Sequence, residues 1–64
     1  MNAHMFNVGD VVRFPQGGKI VQGRIEGFLP RGDYTVELLE AADIFPAGTI
    51  LSLLAGAILN GTRR

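Results

Sequence analysis

The chain has 64 residues, no cysteine and a formal net charge of zero, which excludes disulfides and thiolate metal sites. A chain of this length buries only about 60% of the surface that its unfolded form exposes, so its core alone gives marginal stability. The balanced charge provides no general attraction to nucleic acid or to an anionic membrane. Self-association is therefore the stabilising device that this composition leaves.

The apolar content supports self-association. Hydrophobic residues make up 47% of the chain and charged residues 19%, and contiguous apolar surface outside a core usually marks an interface. The single histidine, His4, falls in residues 1–5, which predict a flexible tail, so no metal site is expected. The longest apolar stretch, residues 50–59, is shorter than the roughly 20 residues that span a membrane. No signal peptide is visible, and we expect a soluble cytoplasmic protein.

Glycine and proline divide the first half of the chain into short segments, which is typical of all-β proteins. A turn at residues 8–10 leads into a predicted strand at 11–14, and a loop at 15–18 separates it from a second strand at 21–29. Gly23 and Gly27, on one face with Ile25 between them, indicate a bend or a close approach of another backbone.

A tight turn at residues 30–33, with Pro30 and Gly32, precedes a third strand at 34–39. Its side chains alternate between two faces, one formed by Tyr34, Val36 and Leu38 and the other by Thr35, Glu37 and Leu39. The second and third strands are thus predicted to form a hairpin.

The C-terminal part allows two interpretations. Residues 49–54 and 57–59 read as two short strands joined by a helical turn at Ala55-Gly56, followed by a flexible polar tail at 60–64. A helix is the alternative, because apolar residues also recur at helical spacing after Thr49, a possible N-cap: Ile50, Leu53, Leu54, Ala57 and Ile58. The β-rich context and Gly56 favour strand, turn, strand.

Five such strands predict an all-β fold, a small five-stranded SH3-like barrel over residues 6–59. Closing the sheet removes most exposed strand edges. The leucines of the strand at 49–54, together with Leu39 and Leu59, have two interpretations, simple core or subunit interface. We favour the interface, because Ile50, Leu54 and Ile58 are the better core candidates and the opposite parity then faces a neighbouring subunit. The predicted interface consists of four leucines, Leu39, Leu51, Leu53 and Leu59.

Four segments carry a family resemblance. They are Phe-Asn-Val-Gly-Asp-Val-Val-Arg at 6–13, Gln-Gly-Arg-Ile-Glu-Gly-Phe at 22–28, Tyr-Thr-Val-Glu at 34–37 and Gly-Thr-Ile at 48–50. In these segments the chain resembles the plasmid-borne type II dihydrofolate reductases. The resemblance implies an SH3-like barrel and a homotetramer around one pore, in which dihydrofolate and NADPH meet and proximity supplies much of the catalysis.

The same resemblance locates the pore wall of that family, a Val-Gln-Ile-Tyr motif. Its four positions correspond to Ile50, Leu51, Ser52 and Leu53. Leu51 thus replaces the glutamine of the motif with its amide, and Leu53 replaces the tyrosine with its phenol. The family's lysine after the first strand corresponds to Phe14, with Lys19 as a loose substitute. Leucines cannot make the glutamine's hydrogen bonds or attract a polyanionic cofactor. No cofactor is therefore predicted, and NADPH belongs to the alternative in which the activity persists.

Other chemistry is sparse. Ser52 has no histidine partner for nucleophilic catalysis. Glu26 and Glu37 could approach each other, but the strand pattern places them on a solvated face near Arg24 or Arg13. The Gly17-Gly18-Lys19 segment reads as a turn.

Nucleic-acid binding would need a basic stripe with aromatic platforms. The candidates are Arg13, Lys19, Arg24 and Arg31, with Phe14, Phe28 and Tyr34 for stacking. Acidic residues are interleaved with these cations, whereas a nucleic-acid binder normally carries a basic excess.

The sequence therefore leads to three hypotheses. The first is a non-catalytic SH3-like binding or scaffold module whose partner is a further copy of itself, with a tetramer as one possible assembly. The second is a diverged, homotetrameric reductase-like enzyme that uses NADPH. The third is a nucleic-acid-binding module. Lys19 and Tyr34 are the candidate ligand-binding residues.

Overall fold

The computed structural model of the chain describes the backbone of residues 6–62 and the side chains of residues 6–59. Almost all of its regular structure is β, which confirms the predicted all-β class. The elements follow in chain order: β1 (Val11–Gln16), β2 (Lys19–Phe28), β3 (Tyr34–Leu38), β4 (Ile50–Leu53), a 3-10 helix (Ala55–Ala57) and β5 (Asn60–Thr62).

These strands form one antiparallel sheet with the order β4-β3-β2-β1-β5. Consecutive strands from β1 to β4 are neighbours, and β5 returns to the far side of β1. The two outer strands, β4 and β5, are also the two that come last in the chain. No helix in residues 6–62 has the length and apolar character that a membrane span requires.

The β1–β2 hairpin is longer than predicted. Gly17 and Gly18 form its two-residue turn with φ of 61° and 79°, the positive values that a tight hairpin turn needs at both positions. Because this turn requires only two residues, the strand ladder continues through Pro15 and Gln16, which were predicted to lie in a loop.

A register shift between Ile25 and Gly27 marks a bulge in β2 at Glu26. Gly23 is buried on the inner face, where a Cβ atom would collide with the Val36 side chain, so the predicted close approach is confirmed there. Gly27 pairs with Thr35 on the other face, and its predicted position on the same face as Gly23 is wrong. The extra residue in the bulge reverses the parity of the strand.

The core lies on one face of the sheet and is closed by residues from the flanking loops. Its buried members are Phe6, Val12, Phe14, Val21, Ile25, Tyr34, Val36, Leu38, Ala42 and Ile58, and Phe45, Leu51 and Leu53 pack against them half-buried. The predicted inner face of the third strand is confirmed, because Tyr34, Val36 and Leu38 are all buried.

The parity of β4 is opposite to the prediction. Leu51 pairs with Val36 and Leu53 with Tyr34, so both leucines face the core. Ile50 and Leu54, which were assigned to the core, are 53% and 63% exposed. The remaining assignment, Ile58, is confirmed at 8% exposure.

A bulge at the start of β4 accounts for this difference. The Gly48 N–H donates to the Leu38 carbonyl, while the Leu38 N–H donates to the Thr49 carbonyl, each at 2.8 Å. Gly48 and Thr49 therefore lie opposite the single residue Leu38, with Gly48 at φ 92°. This extra residue determines which side chains of β4 face the core.

The C-terminal part follows the predicted order of strand, turn and strand, and the helix alternative is wrong. A single 3-10 turn at Ala55–Ala57 connects β4 to β5. The last strand lies at Asn60–Thr62 rather than at 57–59, so part of the predicted polar tail belongs to the sheet. Residues 1–5, including His4, and residues 63–64 lie outside the described part of the chain.

Candidate functional site

The outer face of the sheet carries an unbroken row of directly opposed residues across its four longest strands. Val11 on β1 faces Arg24 on β2, Arg24 faces Glu37 on β3, and Glu37 faces Ile50 on β4. Arg24 Nη1 lies 3.5 Å from Glu37 Oε1, and these side chains are 43% and 33% exposed. Such a surface ion pair contributes about 0–1 kcal/mol, so it neutralises the middle of the face more than it stabilises the fold.

Glu37 is thus paired with Arg24, as the solvated-face interpretation predicts, and not with a second carboxylate. Glu26 is exposed in the β2 bulge. The paired-carboxylate chemistry considered from the sequence has no geometric support on this face.

β4 is the outer strand beyond Glu37 and has one neighbour, β3, among the described strands. In an antiparallel ladder, alternate residues direct their N–H and C=O groups to opposite sides. The bond from the Leu38 N–H to the Thr49 carbonyl starts a ladder in which Leu51 and Leu53 bond to β3. The backbone groups of Ile50 and Ser52 are therefore directed away from the sheet.

The sequence around β4 lacks the charged residues and the proline that usually protect a sheet edge. Residues 48–61 contain no charged residue and no proline. Natural proteins commonly protect exposed edges with lysine, proline or very short strands, because free edges pair with other chains. On β4, a free backbone edge lies instead beside the exposed side chains of Ile50 and Leu54.

The predicted interface leucines fall into two groups. Leu39 and Leu59 are 36% and 57% exposed, so their side chains are available to a partner. Leu51 and Leu53 pack half-buried against the core, on the opposite face from the one predicted to meet a subunit. The interface itself stays a prediction, and the outward parity of β4 belongs to Ile50, Ser52 and Leu54.

The four positions that correspond to the reductase pore motif all lie on β4. Ile50 and Ser52 face outward, whereas Leu51 and Leu53 face the core. Ser52 is exposed and lies opposite Thr35. Ser52, the one polar residue among these four positions, therefore faces solvent.

The structure does not bring the two candidate ligand-binding residues together. Lys19 is exposed at the first position of β2, while Tyr34 pairs with Phe28 at its last position. The Tyr34 ring is 2% exposed and makes edge-on contacts with Phe6 and Phe28, at centroid distances of 5.6 and 5.4 Å. Its hydroxyl accepts the Phe6 backbone N–H at 3.2 Å, so Tyr34 anchors the start of the described chain to the core.

The proposed stacking platforms for nucleic acid are mostly inside the protein. Phe14 and Tyr34 are 0% and 2% exposed, and Phe28 is 37% exposed. Arg31 is bound through its Nη2 to Asp33 Oδ2 at 3.0 Å. The basic stripe therefore has one accessible aromatic ring, and a carboxylate engages one of its arginines.

A further, very short hairpin within residues 40–48 was not predicted from the sequence. Ala42 and Phe45 exchange two backbone hydrogen bonds of 2.8 and 2.9 Å, and Asp43 in the turn has φ 56°. The turn packs against the β1–β2 tip, because a Cβ atom on Gly17 would lie 2.7 Å from the Asp43 Cβ. Ile44 projects from this turn with 83% exposure. Of the two central residues, Asp43 tolerates this conformation, but Ile44 gives no turn signal.

No group of three or more His, Asp or Glu side chains in the described part of the chain is placed to hold a metal ion. Searches of protein-family models, curated proteins and solved structures find no match to this chain.

Proposed function

We propose that this chain is an SH3-like module that associates with copies of itself through the β4 edge and serves as a binding or scaffold unit. Two features support the SH3-like part. The strand order is β4-β3-β2-β1-β5, and a single 3-10 turn precedes the last strand. Both support an SH3-like arrangement of the five strands, with β4 and β5 as the outer strands of the described sheet.

The observation that carries self-association is the unprotected β4 edge. Its outward backbone groups, its charge-free sequence and its two exposed aliphatic side chains are adjacent to one another. Each of these features alone is common on protein surfaces. Together they make the burial of β4 against another chain energetically favourable.

The energies agree with a concentration-dependent assembly. Full burial of one aliphatic side chain contributes about 1.5–3 kcal/mol. Ile50 and Leu54 are 53% and 63% exposed, so two copies together have about 3–7 kcal/mol to gain there. The loss of translational and rotational freedom costs about 4 kcal/mol or more. Backbone hydrogen bonds and the half-buried leucines of β4 must supply the remainder.

Sedimentation velocity over a concentration series tests this proposal. We expect the average mass to exceed that of a single chain at tens of micromolar and to fall on dilution. A chain that remains monomeric throughout the series would contradict the proposal.

A reductase-like enzyme is the second candidate. The observation in its favour is that the four pore-equivalent positions lie together on the outer strand of the sheet, where subunits could share a wall. The test is NADPH consumption in the presence of dihydrofolate, followed by absorbance. Turnover that disappears in a Ser52→Ala variant that stays folded would favour the enzyme, because the Ser52 side chain is exposed, and no turnover in an intact assembly would favour the scaffold.

A further inference from the structure

We propose that β4 pairs antiparallel with β4 of a second copy and that the two-fold axis passes through Ser52. This inference rests on the proposed self-association and adds the contact and its register. Strand addition at a free edge is an established mode of association, because main-chain hydrogen bonds supply affinity and alternate side chains supply specificity.

The backbone of β4 is suited to this pairing. Ile50 and Ser52 direct their N–H and C=O groups away from β3. Leu54 continues the extended conformation with φ −74° and ψ 151° before the 3-10 turn begins. The Leu54 carbonyl accepts the Ala57 N–H at 2.9 Å, so the segment 50–54 offers a partner strand the N–H and C=O groups of Ile50 and Ser52 and the N–H of Leu54.

The side chains of this segment are self-complementary. Ile-Leu-Ser-Leu-Leu has the same order of apolar and polar residues in both directions, with Ser52 at its centre. A two-fold interface pairs residue i with residue j and residue j with residue i, and this order sets apolar side chains opposite apolar ones and Ser52 opposite itself. A second copy of the chain therefore supplies a matching partner strand.

The pattern also selects one register. With Ser52 on the axis, Ile50 lies opposite Leu54 of the second copy on the outer face, and Leu51 lies opposite Leu53 on the inner face. A shift that centres the axis on Leu51 places Ser52 opposite Ile50 and Leu54 opposite Gly48. That register loses the apolar pairs on the outer face and sets a hydroxyl against an aliphatic side chain.

The other outer strand is a poorer candidate. β5 has three residues, Asn60–Thr62, and all three pair with β1. Short edge strands are a common protection against pairing with another chain. β4 is also short, but its extended segment continues through Leu54 and its sequence is apolar.

Single-cysteine variants test the register directly, because the natural chain has no cysteine. Hydrogen-bonded partners in an antiparallel ladder have Cα atoms about 5.5 Å apart, within the roughly 4.4–6.8 Å range that a disulfide spans. We expect Ser52→Cys to form a disulfide-linked dimer under mild oxidation. Thr35→Cys, opposite Ser52 but one strand further in, is the matched control and should remain unlinked.

Two further variants address the register. Ile50→Cys alone should remain unlinked, because its partner position in this register is Leu54, whereas Ile50→Cys combined with Leu54→Cys should become linked between chains. If Ser52→Cys folds poorly, the double variant still tests the register of the β4–β4 pairing. An oligomer in which Ser52→Cys and the double variant both stay unlinked overturns this inference and leaves the proposed self-association standing. A monomeric wild-type chain overturns both.

Discussion

Gly23 lies where neighbouring strands leave no room for a side chain. A Cβ atom there would collide with Val36 and would lie 3.0 Å from the Glu37 carbonyl oxygen and 3.1 Å from Phe14 Cε1. One of these neighbours is backbone, which cannot move aside as a flexible side chain can. The sequence predicted either a bend or a close approach at this glycine, but not which residues approach it.

We therefore expect Gly23→Ala to lower the free energy of unfolding by about 3 kcal/mol, at the upper end of overpacking costs. Urea denaturation at a fixed protein concentration measures the change, because self-association would otherwise alter the apparent stability. Gly56→Ala is the control, since nothing lies within 4 Å of its added Cβ. Equal losses in the two variants would disprove the close approach.

Asp10 organises the turn that precedes β1. Its Oδ2 accepts the Asn7 N–H at 3.0 Å, and its backbone carbonyl accepts the Ile25 N–H at 2.9 Å. We expect Asp10→Ala to cost about 1.5 kcal/mol, because it removes a charged acceptor that is largely buried. Asp10→Asn keeps an acceptor oxygen and should cost about 0.5 kcal/mol. Thermal unfolding of both variants checks the order, and a larger loss for Asp10→Asn would contradict it.

At the level of elements, the contact between the two hairpin tips is the least expected feature. Gly17 and Gly18 both have positive φ, so alanine at either position has a backbone penalty of about 1–2 kcal/mol. Only Gly17 also faces Asp43, at 2.7 Å from its Cβ, while the space around Gly18 is open. The difference between the two alanine variants therefore isolates the tip-to-tip contact.

We expect Gly17→Ala to be less stable than Gly18→Ala by about 1–3 kcal/mol, the usual cost of overpacking. Denaturation of the two variants side by side provides the measurement. If both lose the same stability, the turn at Asp43 does not pack on the β1–β2 tip in solution.

The elements also show how far the sequence predicts this fold. The glycine and proline positions placed β1, β2 and β3 to within a few residues, because turns depend on local conformation. The inward parity of β4 was not predictable from alternation, since Ile50, Leu51, Leu53 and Leu54 make both faces apolar. The bulge at Gly48 decides that parity, and a bulge arises from pairing with a distant strand. The predicted interface leucines of this strand, Leu51 and Leu53, therefore face the core, and the interface itself stays a prediction.

For the whole molecule, the decisive question is whether the β4 edge controls assembly. We expect Ile50→Lys to lower the average mass towards that of a monomer while the chain stays folded. Ile50 is 53% exposed and lies opposite Glu37, so a lysine fits the monomer but opposes burial under a second strand. Sedimentation velocity gives the mass and circular dichroism the fold.

Ile44→Lys is the matched control for this experiment. It also replaces an exposed isoleucine by lysine, at 83% exposure, but in the turn between Ala42 and Phe45 and away from β4. The assembly should survive this change. Loss of assembly in the Ile44 variant and not in the Ile50 variant would move the interface to the hairpin tips.

The unprotected edge also bears on whether growth of the assembly is closed or open-ended. Head-to-tail contact of β4 with β5 of the next copy would leave a fresh β4 at every step, and the chain would extend into a filament. Two-fold pairing of β4 with β4 of a second copy covers both β4 edges in one contact. Only the short β5 strands then remain at the ends of the joined sheet. The symmetry of residues 50–54 around Ser52 would thus favour a closed dimer over an open-ended fibre.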